Sequence, residues 1–246
     1  MRLEASYLTS LHGMAPRQEL ADEVYGLLRS HIMRGSIPPG VRINIEDVAR
    51  QLNVSPTPVR ETLARLESEG LVDREPRRGY RATELLGRDD VRELYELRLL
   101  LEPHAVERAA ARADAALLKL ITTELEHGNE LTRDKASISP AELSAHDERF
   151  HDLIFQAAGN EVIRQSYART HCHLHIFRLA YSDTYDDHTI IEHGLIVDAL
   201  RAGDSATAVE AMRSHVVSSE ARVLSYFERQ QQPRQSGWRN PGTALA

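Results

Sequence analysis

The stretch PPGVRINIEDVARQLNVSPTPVRETLARLESEGLVDREPRRGYRAT, residues 38–83, decides the fold. Working outward from its middle, Asn44 caps a short helix whose inner face is Val48, Ala49 and Leu52. Asn53-Val54 makes a tight turn. Ser55 then caps a second helix, with Pro56 at the first position, where a missing N–H costs nothing. Pro58 is still inside that first turn. Val59, Leu63 and Leu66 form the buried stripe, and Gly70 closes the helix. Residues 71–75 and 80–83 read as strands, with Pro76-Arg77-Arg78-Gly79 as the hairpin turn. Upstream, Leu20, Val24, Leu27, Leu28 and Ile32 recur at helical spacing over residues 17–34, stopped by Gly35 and Pro38-Pro39-Gly40. Residues 41–43 suit a short strand. Helix, strand, helix, turn, helix, hairpin is the order of a winged helix-turn-helix.

A helix of this kind fits the major groove, and its N-terminal turn meets base edges and phosphates first. Ser55 and Thr57 are small hydroxyl residues at that end, and Arg60 lies one turn on, opposite Leu63 and Leu66. Arg77, Arg78 and Arg81 place positive charge on the hairpin, where a minor groove or phosphate can accept it. Gly79 permits close approach of the hairpin tip to a backbone. Arg42 is a phosphate contact or a surface charge; Arg50 and Arg65 read as solvated helix charges.

The whole-chain net charge of −7 hides this. The first 84 residues hold 12 arginines, no lysine and 12 carboxylates, so the excess acid lies entirely downstream. A neutral domain still presents a basic face when its arginines segregate to one side. Aromatic residues are only 5%, which disfavours a β-sandwich or a base-stacking platform. Cys172 is the single cysteine and reads as inert packing, so a disulfide framework and a cysteine-based zinc cluster are excluded. With no signal-peptide core and no long apolar run, the expected location is cytoplasmic, without membrane contact.

Beyond Thr83 the texture changes to long helices. We expect them over residues 88–113, 115–132, 140–158 (after the capping box at Ser139), 161–181, 190–201 and 205–229, with Asp204 capping the last. The fold class is therefore mainly α: an N-terminal winged helix-turn-helix followed by an all-α antiparallel helical bundle. The expected division is a flexible arm at 1–16, the DNA-binding domain at 17–84, the helical domain at 88–229, and a disordered tail at 230–246.

Four polar residues fall on faces that should point into the bundle. Asp147 and His151 are one turn apart on the same face. His193 lies among Ile190, Val197 and Leu200, and His215 among Ala208, Met212 and Val216. A single inward histidine usually satisfies itself on a carbonyl or carboxylate. Three inward histidines and an aspartate from three helices suit a divalent transition metal, zinc first, with nickel, iron or manganese also compatible. His171, His173 and His175 form a further cluster. On one helix only His171 and His175 share a face, so they cannot all bind one metal. His175, with Arg178 nearby, reads as pocket lining for an effector.

These residues also carry a resemblance. Ser55-Pro56-Thr57-Pro58-Val59-Arg60-Glu61-Thr62-Leu63 resembles the recognition segment of GntR-family bacterial transcription regulators, which usually reads Ser-Arg-Thr-Pro-Val-Arg-Glu-Ala-Leu. Pro56 stands where the family has an arginine that commonly contacts DNA, so an operator inferred from the family consensus does not transfer. DERFHDLIFQAAGN at 147–160, EHGLIVDALRAGD at 192–204 and AMRSH at 211–215 resemble the FCD effector domain of the FadR-type branch. That resemblance implies metal ligands at Asp147, His151, His193 and His215. It also implies a homodimer on a near-palindromic double-stranded operator, acting as a repressor modulated by a small carboxylate or sugar acid. Arg98 matches a position that often lines the family's ligand cavity; an ion pair with Glu102, four residues on, is an equal alternative. The rival class is a metal-dependent hydrolase fused to a DNA-binding domain. Against it, four protein ligands fill a tetrahedral site unless coordination expands to octahedral, which would leave two positions for water or a ligand carboxylate; no His-Glu-x-x-His string is present, and Glu148 and Glu192 should point off the metal-facing side. The weaker third reading is an architectural DNA binder with a purely structural metal.

Overall fold

The computed structural model describes residues 17–76, 78–112, 114–133, 140–180 and 188–231. The arm at 1–16, Arg77, the cap at Ser139 and the tail beyond 231 lie outside the described residues. The order is α1 (Arg17–Met33), β1 (Arg42–Ile43), α2 (Ile45–Leu52), α3 (Pro56–Ser68), β2 (Val72–Glu75), β3 (Gly79–Ala82), α4 (Arg88–Arg112), α5 (Ala115–Thr132), α6 (Pro140–Ala158), α7 (Glu161–Ala168), α8 (Cys172–Ala180), α9 (His188–Ala202) and α10 (Ser205–Gln231). The chain is thus an N-terminal helical region with a small antiparallel wing, followed by an all-α bundle.

Local chemistry sets the N-terminal elements. Asn44 Oδ1 accepts from the backbone N–H groups of Glu46 (2.9 Å) and Asp47 (3.2 Å), starting α2. Asn53, left-handed at φ 54°, ends it, in a conformation that asparagine tolerates better than most residues. Ser55 occupies the cap of α3 but makes no side-chain capping bond; Pro56 starts the helix. The three strands run in the order β1-β3-β2, all antiparallel, with Arg42 opposite Arg81 and Glu75 opposite Gly79. Gly79 has φ +91°, and a Cβ there would stand 3.2 Å from the Ile43 carbonyl oxygen. The close approach that needs a glycine is therefore to the chain's own β1.

Val24, Leu28, Ile32, Val48, Leu52, Val59, Leu63 and Leu66 close one core. Leu143 of α6 and Leu174 and Phe177 of α8 join it, so the two halves of the chain share apolar surface. A second core belongs to the bundle, where α4 packs most extensively against α10 and α6.

The largest departure from expectation is at residues 161–181. The single helix anticipated there is two helices, α7 and α8, separated at Thr170-His171. His171 is left-handed at φ 45°, and Thr170 Oγ1 donates to the Tyr167 carbonyl at 2.7 Å. No glycine or proline marks the break, so the apolar spacing reads straight through it. In α10 the helix runs on to Gln231, past the expected end at Arg229. Among the described residues no helix is long and apolar enough to cross a membrane.

Candidate metal centre

Three helices of the bundle bring the expected ligands together. His151 on α6, His193 on α9 and His215 on α10 each offer a ring nitrogen, and these atoms lie within 4.8 Å of one another. Asp147, one turn before His151, puts Oδ1 3.3 Å from His193 Nε2. All four side chains are buried. The His193 ring is stacked on Phe150, with centroids 3.9 Å apart and planes 8° from parallel.

Each of these four residues has a buried polar atom with no partner. Asp147 Oδ1, His151 Nε2, His193 Nε2 and His215 Nε2 are all buried without a hydrogen-bond partner. A buried unpaired polar atom costs about 1–3 kcal/mol, so four together need a common occupant. Burial lowers His151 to about 4 and holds His193 well below the ordinary imidazole range, so both rings are neutral at pH 7 with lone pairs available. Burial works to raise the Asp147 carboxyl, but the imidazoles of His173, His151 and His193 outweigh it and keep the group ionised. One carboxylate and three imidazoles make a donor set that fits a divalent transition metal.

A second buried set, Glu102, His151 and His173, has ligand atoms within the same 4.8 Å limit. Glu102 and His173 are already engaged. Glu102 Oε1 accepts from Arg98 Nε at 2.6 Å and from the Tyr167 hydroxyl, and Glu102 Oε2 stands 3.2 Å from His151 Nδ1. His173 Nδ1 is 2.5 Å from Asp147 Oδ2, and its Nε2 is 3.0 Å from the Tyr167 hydroxyl. This set is a buried polar chain from Arg98 through Glu102, Tyr167 and His173 to Asp147. Arg98 therefore takes the ion-pair alternative in this structure, fully buried against Glu102. A cleft of about 310 Å³ opens between α6 and α7–α8, with Tyr167, Cys172 and His173 on its wall. It reaches the same chain from outside.

Reading residues 161–181 as one helix hid His173, because the break at His171 resets the phase and turns His173 inward. Glu102 was visible only as a partner for Arg98. Glu192 does point off the cluster, as expected, but it meets His215: Glu192 Oε2 is 2.9 Å from His215 Nδ1. His175 and Arg178 do not face the three-histidine cluster. Arg178 donates to Thr83 Oγ1 (2.6 Å) and to the Thr83 carbonyl (2.8 Å), where the chain leaves the wing. His175 sits against Gly70, whose added Cβ would stand 3.0 Å from His175 Nε2. Thr83 Oγ1 in turn donates to the Gly70 carbonyl at 2.8 Å. The short helix α8 thus has His173 on the polar chain and Arg178 on the DNA-binding half.

On the N-terminal surface, Ser55, Arg42, Arg60 and Arg78 are exposed and Thr57 is half-buried. Arg60 lies 3.3 Å from Glu46 and Arg42 3.4 Å from Glu75. Arg81 is committed to Glu75 at 2.7 Å, and Arg65 is drawn to Asp22 and Glu69 and over the Tyr25 ring.

A winged helix-turn-helix joined to an all-helical bundle with a buried histidine cluster defines a DNA-binding regulator with a separate helical effector domain. The chain matches the FCD domain family over residues 93–218 and the bacterial regulatory proteins of the gntR family over residues 20–81. It belongs to the GntR family, in its FCD-containing branch, consistent with the FadR type. It is 28% identical to the HTH-type transcriptional regulator YdhC of Bacillus subtilis over 198 residues, covering 80% of this chain and 85% of that one. It is also 28% identical to the gluconate operon transcriptional repressor of the same organism, covering 83% and 85% of the two chains. The crystal structure of a GntR transcriptional regulator from Rhodococcus sp. RHA1 superposes with a TM-score of 0.63 at 24% identity, covering 84% of this chain and 98% of that one. These relatives are named as regulators, not as enzymes.

Proposed function

We propose that the protein is a homodimeric, metal-containing repressor that binds a near-palindromic operator and is released or retained by a small carboxylate or sugar acid. The observation that carries the metal is the clustering of His151, His193 and His215, whose buried ring nitrogens lie within 4.8 Å of one another with Asp147 Oδ1 3.3 Å from His193 Nε2. A divalent transition metal, zinc first and nickel, iron or manganese also compatible, would be held by Asp147, His151, His193 and His215. It would offer an acid ligand a Lewis-acidic partner in a dry site. A small acid is supported by the family and by the name of the gluconate operon repressor. The division into a DNA-binding domain at 17–84 and an effector domain at 88–229 is supported by two cores, the first of which also takes in Leu143, Leu174 and Phe177 of the second domain.

For DNA, Ser55, Thr57 and Arg60 at the start of α3 would enter the major groove. Arg42, Arg78 and Gly79, with Arg77, would meet the backbone or minor groove from the wing. The Arg60–Glu46 pair is exposed, and such pairs are worth about 0–1 kcal/mol, so freeing Arg60 for DNA costs little. Arg60→Ala should weaken binding by about 10–100-fold, as for loss of a base contact worth 1–3 kcal/mol, with unchanged thermal unfolding. A mobility shift on a duplex selected by the protein from random sequence measures this; an unaltered shift removes Arg60 from the interface.

The effector's influence would travel through α8. His173 contacts the carboxylate of Asp147, and one turn on Arg178 grips Thr83. A ligand that binds one arrangement of this helix better than another shifts the population of DNA-binding states. Arg178→Ala should leave the bundle folded and metal-loaded. The difference in operator affinity between metal-loaded and metal-free protein should collapse to less than about twofold, a coupling below about 0.4 kcal/mol. Paired mobility shifts with and without chelator test it. Retention of the wild-type difference would exclude the Arg178–Thr83 contact as the route.

A further inference from the structure

The histidines of the cluster are aimed by different means, and one of them exposes a residue with an unassigned role. His193 is held by stacking on Phe150. His215 is held by a carboxylate: its Nδ1 stands 2.9 Å from Glu192 Oε2. Glu192 is itself fixed by Arg222, whose Nη1 donates to Oε1 at 2.7 Å and Nη2 to Oε2 at 2.8 Å. A carboxylate in a two-pronged arginine grip is ionised and can only accept. The proton between Glu192 and His215 therefore belongs to Nδ1, which leaves Nε2 as the ring atom available to a cation. That Nε2 is buried, has no partner and faces the cluster.

We propose that Glu192, anchored by Arg222, is a positioning residue for the metal centre. It fixes His215 in the Nδ1–H tautomer and aims the Nε2 lone pair at the cation. The inference rests on the metal reading above. It gives α9 two jobs at adjacent positions. His193 supplies a ligand inward, and Glu192, beside it, reaches across to orient the ligand carried by α10. Glu102 stands in a related position to His151, but its carboxylate is already engaged by Arg98 and Tyr167. Glu192 is 18% exposed at the side chain, so it can be replaced without opening the core.

The test is zinc affinity of the full-length protein, measured by competition with a chromophoric chelator, together with the tautomer of His215 in metal-free protein, read by long-range proton–nitrogen NMR. Carboxylates that orient metal-binding histidines are worth about 10–100-fold in metal affinity. Glu192→Ala should weaken zinc by that factor and move His215 from Nδ1–H toward Nε2–H, which free imidazole favours. Glu192→Gln, whose amide oxygen still accepts from Nδ1, should restore most of both. Arg222→Ala leaves the glutamate in place but unanchored. It should lose about 3–10-fold with a mixed tautomer, and it carries the test if Glu192→Ala does not fold. Unchanged zinc affinity overturns the proposal, and so does weakened affinity with an unchanged tautomer, the mark of general loosening. A wild-type chain that takes up no zinc sinks the metal reading itself, a result distinct from either of these.

Discussion

Arg98→Ala should destabilise the bundle by about 3–5 kcal/mol, the usual cost of removing one partner from a buried ion pair. Arg98 is 1% exposed and Glu102 is 0% exposed, and the guanidinium meets the carboxylate at 2.6 Å. Burial favours the neutral acid, but Arg98 and His151 outweigh it and hold the Glu102 carboxyl well below its ordinary range. Without Arg98 a fully enclosed negative charge would be left facing Tyr167 and His151. Urea unfolding followed by circular dichroism measures the loss. Replacing both partners by apolar residues of similar volume should recover most of it, because the cost comes from the orphaned charge. If Arg98 instead mainly met an effector, Arg98→Ala would abolish the response to acid while changing stability by under about 1 kcal/mol. The two roles are thus separable in one variant.

His193→Ala combined with His215→Ala should abolish metal uptake and the stabilisation that comes with it. A ligand that binds only the folded state adds about 2.7 kcal/mol at a hundredfold excess over its dissociation constant. Zinc should therefore raise the unfolding midpoint of the wild-type chain by several degrees and leave the double variant where it is. Metal-free, the variant should lose less than two large core deletions would suggest. The imidazoles it removes carry unpaired buried nitrogens, and their removal relieves that penalty. A zinc-dependent rise of wild-type size in the variant would place the metal elsewhere.

Much of this architecture was legible because it rests on local chemistry. Asn44, the Pro56 start of α3, the tight turn at Asn53 and the glycine of the wing turn are each set by their own backbone neighbours. The buried cluster of Asp147, His151, His193 and His215 was legible for a different reason: a polar side chain in an apolar stripe has to answer to something in the interior. What stayed hidden depends on contacts distant in sequence. The break at His171 carries no glycine or proline, and it is held by the packing of α7 and α8 on α6. The contact of His173 with Asp147 depends on it and is not shown by spacing alone. His175 and Arg178, expected to line a pocket, bear on Gly70 and Thr83, contacts that no local spacing shows. Glu192 looked idle because its partner, His215, is 23 positions away on another helix. Arg98 illustrates a limit of pattern reading. Its pairing with Glu102 is visible from spacing alone, but only the packed structure shows that both are fully enclosed.

The central claim is that three imidazoles and one carboxylate converge on a single cation. The most direct measurement is a zinc titration of chelator-treated protein, paired with zinc-edge X-ray absorption of the loaded sample. Uptake should end sharply at one ion per chain, with nitrogen and oxygen neighbours only and the scattering signature of three histidines. Uptake that survives in the His193→Ala/His215→Ala chain, a sulfur neighbour from Cys172, or no tight uptake by the wild-type protein would contradict that claim.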